Sequence, residues 1–320
     1  MAKKKELLIV GTIPDTAGIG GVSIHVKRLM DFLDIRRIKY KFVDYKINSV
    51  GSILKAITHC DVLHLHISNP KALFVFTLWG RLIGKTVIVT LHGNYGRFVS
   101  LNKKLIQSVI KNASVPVVIN ENSFDACKKI NKQTILLSAF IPPQKEENLN
   151  EEVQSVIADA KARGKQIVST NAFNISYDKD GNETYGIGFL LDFFENSDFT
   201  FLFSDPTGNY RKQYSNDYKN TLFITQPHSY FEVLKKVDFF IRNTSTDGDA
   251  ISVKEALFLG VETICTDVVS RPEGCILFQY CDRDTLTMAL TKANTITNNS
   301  KIANAAEQIA EVYEEYGIES

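Results

Sequence analysis

The sequence contains no CxxC pair, and its five cysteines, at 60, 127, 265, 275 and 281, are odd in number. It therefore offers neither a disulfide framework nor a zinc knuckle, and a reduced cytoplasmic chain is expected. No apolar run reaches the length of a membrane span. The nearest, ALFVFTLWGRLI (72–83), is short and is interrupted by Arg81. MAKKKELLIV (1–10) has a basic start but no long apolar region and no small-residue cleavage site. It reads as a first strand rather than a signal peptide. There is no GxxxxGK[ST] loop, no GxGxxG fingerprint, no internal repeat and no low-complexity segment. Phosphate-loop nucleotide hydrolysis and solenoid architectures have no support.

What is present is an ordinary globular composition, 44% hydrophobic and 23% charged, over 320 residues. That length favours two domains. The net charge of +1 hides a sharp division. Residues 1–145 hold 22 Lys/Arg and 8 Asp/Glu, while the remainder holds 15 and 28. A basic half and an acidic half suggest two domains that meet different partners. No recognised nucleic-acid motif accompanies the basic half, so nucleic acid is not expected among the partners.

Apolar, β-branched runs of strand length alternate with segments of helical period. The runs ELLIVGT (6–12), YKFVDY (40–45), DVLHLHI (61–67), KTVIVTLH (85–92) and VPVVIN (115–120) are nearly continuously apolar, as in parallel sheets buried on both faces. IPPQKEENLNEE (141–152) breaks the pattern with two prolines and a charged run, the mark of a linker. A second series follows, with QIVSTNAF (166–173), FTFLFS (199–204), TLFIT (221–225), VDFFIR (237–242) and VETICTD (261–267). Repeated βα units imply doubly wound α/β sheets, and two series imply two Rossmann-like domains in tandem, 1–145 and 146–300. Ligands of such sheets bind outside the C-terminal strand ends, so an active site in a cleft between facing domains is expected.

Three loops carry residues suited to chemistry. In GIGGVSIHVKRL (18–29), Gly20 and Gly21 open a helix whose free N–H groups favour an anion, with a structural Gly-Gly turn as the alternative. In TLHGNYG (90–96), His92 stands at a strand end, and Gly93 is expected to keep the space beside it open. A neutral histidine there would hydrogen-bond a sugar hydroxyl or a charged intermediate, with a core histidine as the alternative. His64 and His66 share one face of a strand with no third ligand in view, so packing is expected of them and no metal site.

The third loop is TDGDAISVKEALFLG (246–260). With a helix starting near Ala250, Ser252 and Glu255 share one face, and Asp247 lies in the loop just before it. The first-turn N–H groups suit phosphate, and the carboxylates accept from sugar or ribose hydroxyls. Capping by Asp249 is compatible, yet accounts for one residue of the cluster, whereas ligand binding accounts for all of it.

Asp247 and Glu255 are eight residues apart, a spacing that resembles the EX7E motif of retaining GT-B glycosyltransferases of the family-four type, with Asp in place of the first Glu. EALFLGVETICTD resembles that family's EAxxxGxPVIxxD, GGVSIHVKRL its amino-terminal glycine loop, DVLHLH its third strand and VTLHG its strand-end histidine. The run DGDAISVKEAL…DVVSRPEG is most similar to a bacterial polysaccharide-assembly branch. The resemblance covers nearly the whole chain in order. It implies that Asp247 contacts the donor sugar, Glu255 the nucleotide ribose, Gly20 and Gly21 the diphosphate, and that His92 lies near the reacting sugar. It also implies a last helix, within 301–320, that crosses back to the first domain. Two positions depart from the family: Tyr185 precedes Gly186 where lysine is usual, and Glu262 stands where proline is usual. The diphosphate cations must then come from elsewhere, with Arg271 the leading candidate and Lys179 and Arg242 the others.

The resemblance implies a metal-independent transferase that moves a hexosyl unit from a UDP-sugar or GDP-sugar to a hydroxyl of a growing surface glycan, with retention and with no cofactor. Lipid-linked acceptors would call for an anionic membrane surface as partner. RFVSLNKKLIQSVIKN (97–112), with Phe98, Leu101, Leu105, Ile106, Val109 and Ile110 on one apolar side and Lys103, Lys104 and Lys111 beside it, is the candidate contact. Three rivals remain open: a metal-dependent transferase using Asp247-Gly248-Asp249 as a DxD, a nucleotide-sugar epimerase, and a non-catalytic sugar-nucleotide-binding partner.

Overall fold

The computed structural model describes residues 4–14, 21–247, 250–294 and 302–319. The chain divides into two compact units, Met1–Lys145 with Ala303–Ser320, and Glu146–Ile302. Each is built on one six-stranded, wholly parallel sheet.

In the first unit the strands are β1 (Leu7–Gly11), β2 (Tyr40–Asp44), β3 (Val62–Leu65), β4 (Thr86–Leu91), β5 (Val115–Val118) and β6 (Ile135–Leu136), in the order β2-β1-β3-β4-β5-β6. Helices α1 (Gly21–Ile35), α2 (Val50–Thr58), α3 (Pro70–Leu82), α4 (Ser100–Asn112) and α5 (Glu121–Ile130) make the crossovers. Side chains alternate across the sheet, so Leu8 and Val10 enter one core layer while Leu7 and Ile9 enter the other. Both layers are dry, which is why these strands read as unbroken apolar runs. The helix starts follow from local chemistry. Ser49, Asn69 and Asn120 each accept a first-turn N–H, and Pro70 sits just inside its helix.

In the second unit, β7 (Ile167–Asn171), β8 (Thr200–Ser204), β9 (Thr221–Ile224), β10 (Phe239–Arg242), β11 (Glu262–Thr266) and β12 (Cys275–Phe278) take the order β12-β11-β10-β7-β8-β9. Between them lie α6 (Glu151–Ala162, ahead of β7), α7 (Ile187–Phe194), α8 (Asn209–Gln213), α9 (Tyr230–Leu234), α10 (Ile251–Phe258) and α11 (Arg283–Ala293). Strand order reverses between β7 and β10, whose pairing is limited to Val168–Phe239 and Ser169–Phe240. Toward their C-terminal ends the two strands pair with β8 and β11 and no longer with each other, and such a point is where an α/β sheet receives a ligand.

The last helix, α12 (Ala305–Glu315), buries Ala305, Ala306, Ile309, Ala310 and Tyr313 in the core layer of the first unit that holds Leu7 and Ile9. The Ala305 N–H donates to the Phe140 carbonyl at 3.0 Å. No helix among the described residues is long and apolar enough to cross a membrane.

Candidate functional site

At the C-terminal end of β10, Arg242 turns its guanidinium onto Asp247. Nε lies 3.1 Å from Oδ2 and Nη2 lies 3.2 Å from Oδ1, a bidentate pair. Arg271, from the loop after β11, donates Nη1 to the same Asp247 Oδ2 at 2.8 Å. Its Nε donates to the Thr266 carbonyl at 2.9 Å, and its Nη2 to Thr244 Oγ1 at 3.2 Å. The three side chains are 11%, 7% and 3% exposed for Arg242, Asp247 and Arg271. Burial alone would raise the Asp247 carboxyl. The two guanidiniums, Arg242 foremost, outweigh it and hold the group below the usual carboxylate range. On the Arg242 side, burial opposes the charge and Asp247 prevails, so the guanidinium is held still more firmly protonated.

The sequence expectation assigned Asp247 to the donor sugar and Arg271 to the diphosphate; in the structure the two side chains meet each other, and Asp247 also meets Arg242. Asp247 is a clamp between two arginines, and each Arg271 nitrogen already has a protein partner. Arg242 is less spent. Its Nη1 makes only a 3.5 Å contact with the Asn171 carbonyl, and its carbon Cζ lies 4.9 Å from the centre of the Tyr185 ring. The ring explains why a tyrosine precedes Gly186: it stacks on the cation that this chain keeps at β10.

Helix α10 begins one residue after Ala250, which provides no side-chain cap. Ser252 and Glu255 fall on one face, both buried. Asp249 and Gly20 lie outside the described residues. Gly21 is the first residue of α1 and is exposed. Lys179 sits in an exposed turn closed by the Tyr177–Glu183 bridge and takes no part in the arginine–aspartate cluster.

Sequence reasoning missed Glu183. Its Oε1 accepts from the Ile187 N–H at 3.0 Å and its Oε2 from the Gly188 N–H at 3.4 Å and from the Tyr214 hydroxyl at 2.9 Å. The N-terminus of α7 is thus already occupied by a carboxylate, and an anion there must displace it. The turn before it requires glycine. Gly186 has φ +51°, and a Cβ would stand 2.2 Å from Asn243 Nδ2. Glu183 lies three residues ahead of the N-cap Gly186, the reverse of the capping-box order in which the acid follows the cap, so no sequence signal marks it.

In the first unit, His66 follows β3 and His92 follows β4, and α1 presents His25 beside them. His66 Nδ1 and His92 Nε2 are 2.9 Å apart and share one hydrogen bond. The His25 ring centre is 5.3 Å from that of His66 and 4.9 Å from that of His92. His64 is held separately, with Nδ1 2.6 Å from the Tyr313 hydroxyl and Nε2 2.8 Å from Thr90 Oγ1. Burial keeps all four neutral. His25 is lowered to about 4 and His64 to about 3, while His66 and His92 are held well below the ordinary value. The third partner that sequence reasoning could not see for His66 comes from a helix and from the neighbouring strand. The space beside Gly93 is not open, because a Cβ there would meet Arg97 Cζ at 2.5 Å. A guanidinium from the short helix at Tyr95–Arg97 folds back over the strand end.

No protein-family model matches the chain, and no curated protein does. Solved structures do. HepE of Anabaena, in complex with UDP, superposes with a TM-score of 0.66 at 12% identity, over 97% of this chain and 100% of that one. Sucrose-phosphate synthase of Thermosynechococcus elongatus gives 0.65 at 13% identity, over 98% and 99%. WaaG, a glycosyltransferase involved in lipopolysaccharide biosynthesis, gives 0.61 at 10% identity, over 96% and 99%. The fold is GT-B. Two Rossmann-like domains follow one another in the chain, and these neighbours match both along nearly their full length.

Proposed function

We propose that the protein is a glycosyltransferase that uses a nucleoside diphosphate sugar, UDP- or GDP-linked, as donor and a hydroxyl of a growing surface glycan as acceptor. The observation that carries this reading is the Arg242–Asp247–Arg271 cluster, with Ser252 and Glu255 on the next helix, at the ligand-binding end of the second sheet. The second domain would hold the donor and the first the acceptor. HepE binds UDP-glucose in another of its structures, at a TM-score of 0.66.

The transfer breaks the bond between the anomeric carbon and the diphosphate oxygen and forms one to the acceptor oxygen, with retention, while the acceptor hydroxyl proton passes to the leaving diphosphate. Charge grows on the leaving diphosphate. The cationic edge of Arg242 and the first-turn N–H groups of α10, which Ala250 does not cap, are suited to receive it. Arg271, whose nitrogens are engaged, acts by fixing Asp247 and through it Arg242. Lys179, exposed and apart from the cluster, is the remaining candidate cation. Glu255 accepts from the ribose, and His92, neutral, faces the reacting sugar. No divalent ion is needed at the diphosphate, so added magnesium or manganese should leave turnover unchanged. A strict requirement would restore the DxD reading of Asp247 and Asp249.

The test is a thermal-shift screen against UDP, GDP, ADP, CMP and TDP. One diphosphate should stabilise the protein by about 2.7 kcal/mol at a hundred times its dissociation constant. No shift with any of them would overturn the reading. With that ligand in hand, Glu255→Gln should weaken its binding on the order of tenfold or more, the loss of a charge-assisted hydrogen bond of roughly 1.5–3 kcal/mol. Unchanged affinity in a calorimetric titration would remove Glu255 from the site.

UDP-GlcNAc 2-epimerase of Methanocaldococcus jannaschii shares this fold at a TM-score of 0.57 and 12% identity, over 97% of this chain and 99% of that one. Incubating the stabilising sugar nucleotide without acceptor separates the two activities. An epimerised sugar would favour the second reading, and no turnover with any acceptor would favour a binding partner.

We place the enzyme at the cytoplasmic face of the membrane. The apolar side expected of α4 is divided in the structure. Ile106, Val109 and Ile110 are buried in the core, whereas Leu101 is 59% exposed and Val99 ahead of it 68%. Lys103 and Lys104 are exposed beside them. Only this first turn is left for a lipid surface, so the contact would be chiefly electrostatic, at about 1 kcal/mol per basic side chain. Sedimentation with anionic vesicles at low salt, release at high salt and no binding to neutral vesicles are expected. Lys103→Glu with Lys104→Glu should reduce the bound fraction without altering nucleotide affinity. Binding to neither vesicle would leave the basic half to an anionic acceptor.

A further inference from the structure

We propose that His25, His66 and His92 form a binding site for one late first-row divalent ion, zinc foremost, in the first unit. Each residue offers one ring nitrogen, and the three nitrogens lie within 4.8 Å of one another. His25 Nδ1 is 2.8 Å from the Ala139 carbonyl. A carbonyl only accepts, so Nδ1 carries the proton and Nε2 is a bare lone pair. That Nε2 is buried with no hydrogen-bond partner, and so is His66 Nε2. A buried polar atom left unpaired is destabilising, and two in one cluster call for a common partner.

An ion supplies that partner. Imidazoles bind metal in the neutral form, and burial keeps all three neutral here. The carbonyl that fixes His25 is the outer contact that metal-bound histidines ordinarily have. Zinc–nitrogen bonds of about 2.0–2.1 Å require the three nitrogens to draw somewhat closer, and ligation through His92 Nε2 replaces the hydrogen bond it shares with His66 Nδ1. His92 is half-buried, whereas His25 and His66 are buried, so it is the ligand with room to move and the side from which an ion enters. Three neutral nitrogens select zinc, nickel or copper over magnesium and calcium, which prefer oxygen. The nearby guanidiniums of Arg28 and Arg97 add positive charge, so the fourth ligand should be an anion or an ionised water. The site belongs to the other unit from Asp247 and does not rest on the transferase reading.

Cobalt(II) reports the site directly, because three imidazoles at four-coordinate cobalt give a visible d–d band. Titration of the metal-free full chain should show a saturable band at one cobalt per chain, displaced by zinc. His25→Gln and His66→Gln should each weaken binding by about a hundredfold or more, beyond the 10–100-fold that losing an outer contact costs. His59→Gln, which alters an exposed histidine, should leave the titration unchanged. No saturable band on the folded parent protein would overturn the proposal, even if a variant fails to fold. So would a band that survives both His25→Gln and His66→Gln, and water would then be the partner of the two nitrogens.

Discussion

Asp247→Asn should lower the stability of the second unit by about 3–5 kcal/mol, the range for removing one member of a buried ion pair. The carboxylate bridges Arg242 and Arg271, at 3.1 Å and 2.8 Å, and offsets one of their two positive charges in a site where all three side chains are nearly inaccessible. The amide is the same size but carries no charge, so two buried guanidiniums would face each other. A unit of this length should lose on the order of 10 °C in melting temperature. Activity should fall with it, because Asp247 orients Arg242. Differential scanning calorimetry with and without the nucleotide diphosphate checks both effects. A melting temperature unchanged within error, with activity lost, would make Asp247 a pure substrate contact. Acid acts on the same clamp. A carboxyl held below its ordinary value contributes stability that is present above the unfolded pKa, about 3.9, and is lost as pH falls through the folded value.

The second large effect is acid destabilisation of the first unit, measured in metal-free buffer. Four buried histidines are kept neutral when folded but protonate near pH 6.5 when unfolded. Between these limits the unfolded chain binds more protons. Stability is therefore complete above pH 6.5 and falls as pH drops toward 4. Each histidine that stays neutral contributes a slope of about 1.4 kcal/mol per pH unit. Mutual repulsion within the cluster, and the charges of Arg28 beside His25 and Arg97 beside His92, act in the same direction. Equilibrium urea unfolding at pH 7 and pH 5 should differ by several kcal/mol. His64→Gln should remove about one proton from the slope while its neighbours keep theirs. A flat profile from pH 7 to pH 5 would show that these rings titrate normally.

The sequence by itself determined the alternation of strands and helices and the break near 141–152. It did so because a parallel strand covered on both faces must be apolar at every position, and a crossover helix only on one side. It also determined that Ser252 and Glu255 share a helix face, since that follows from spacing within one element. The edge strands β6 and β12 were harder to see. β6 has two residues, and β12 alternates buried and exposed positions, so neither makes an unbroken apolar run.

What only the tertiary structure decided is which distant side chains meet. Arg271 reaches Asp247 across 24 positions because β11 lies beside β10 and both strands end at the same level. His25 reaches His66 and His92 because the helix after β1 packs over the ends of β3 and β4. Periodicity reports which face of an element is dry. It does not report which element lies next to it, and a partner's identity changes a group more than its own type does. The spacing between Asp247 and Glu255 shows in the sequence, but the two arginines on Asp247 do not. His66, seen in its strand with His64 alone, gives no sign of the His25 ring that a helix brings beside it.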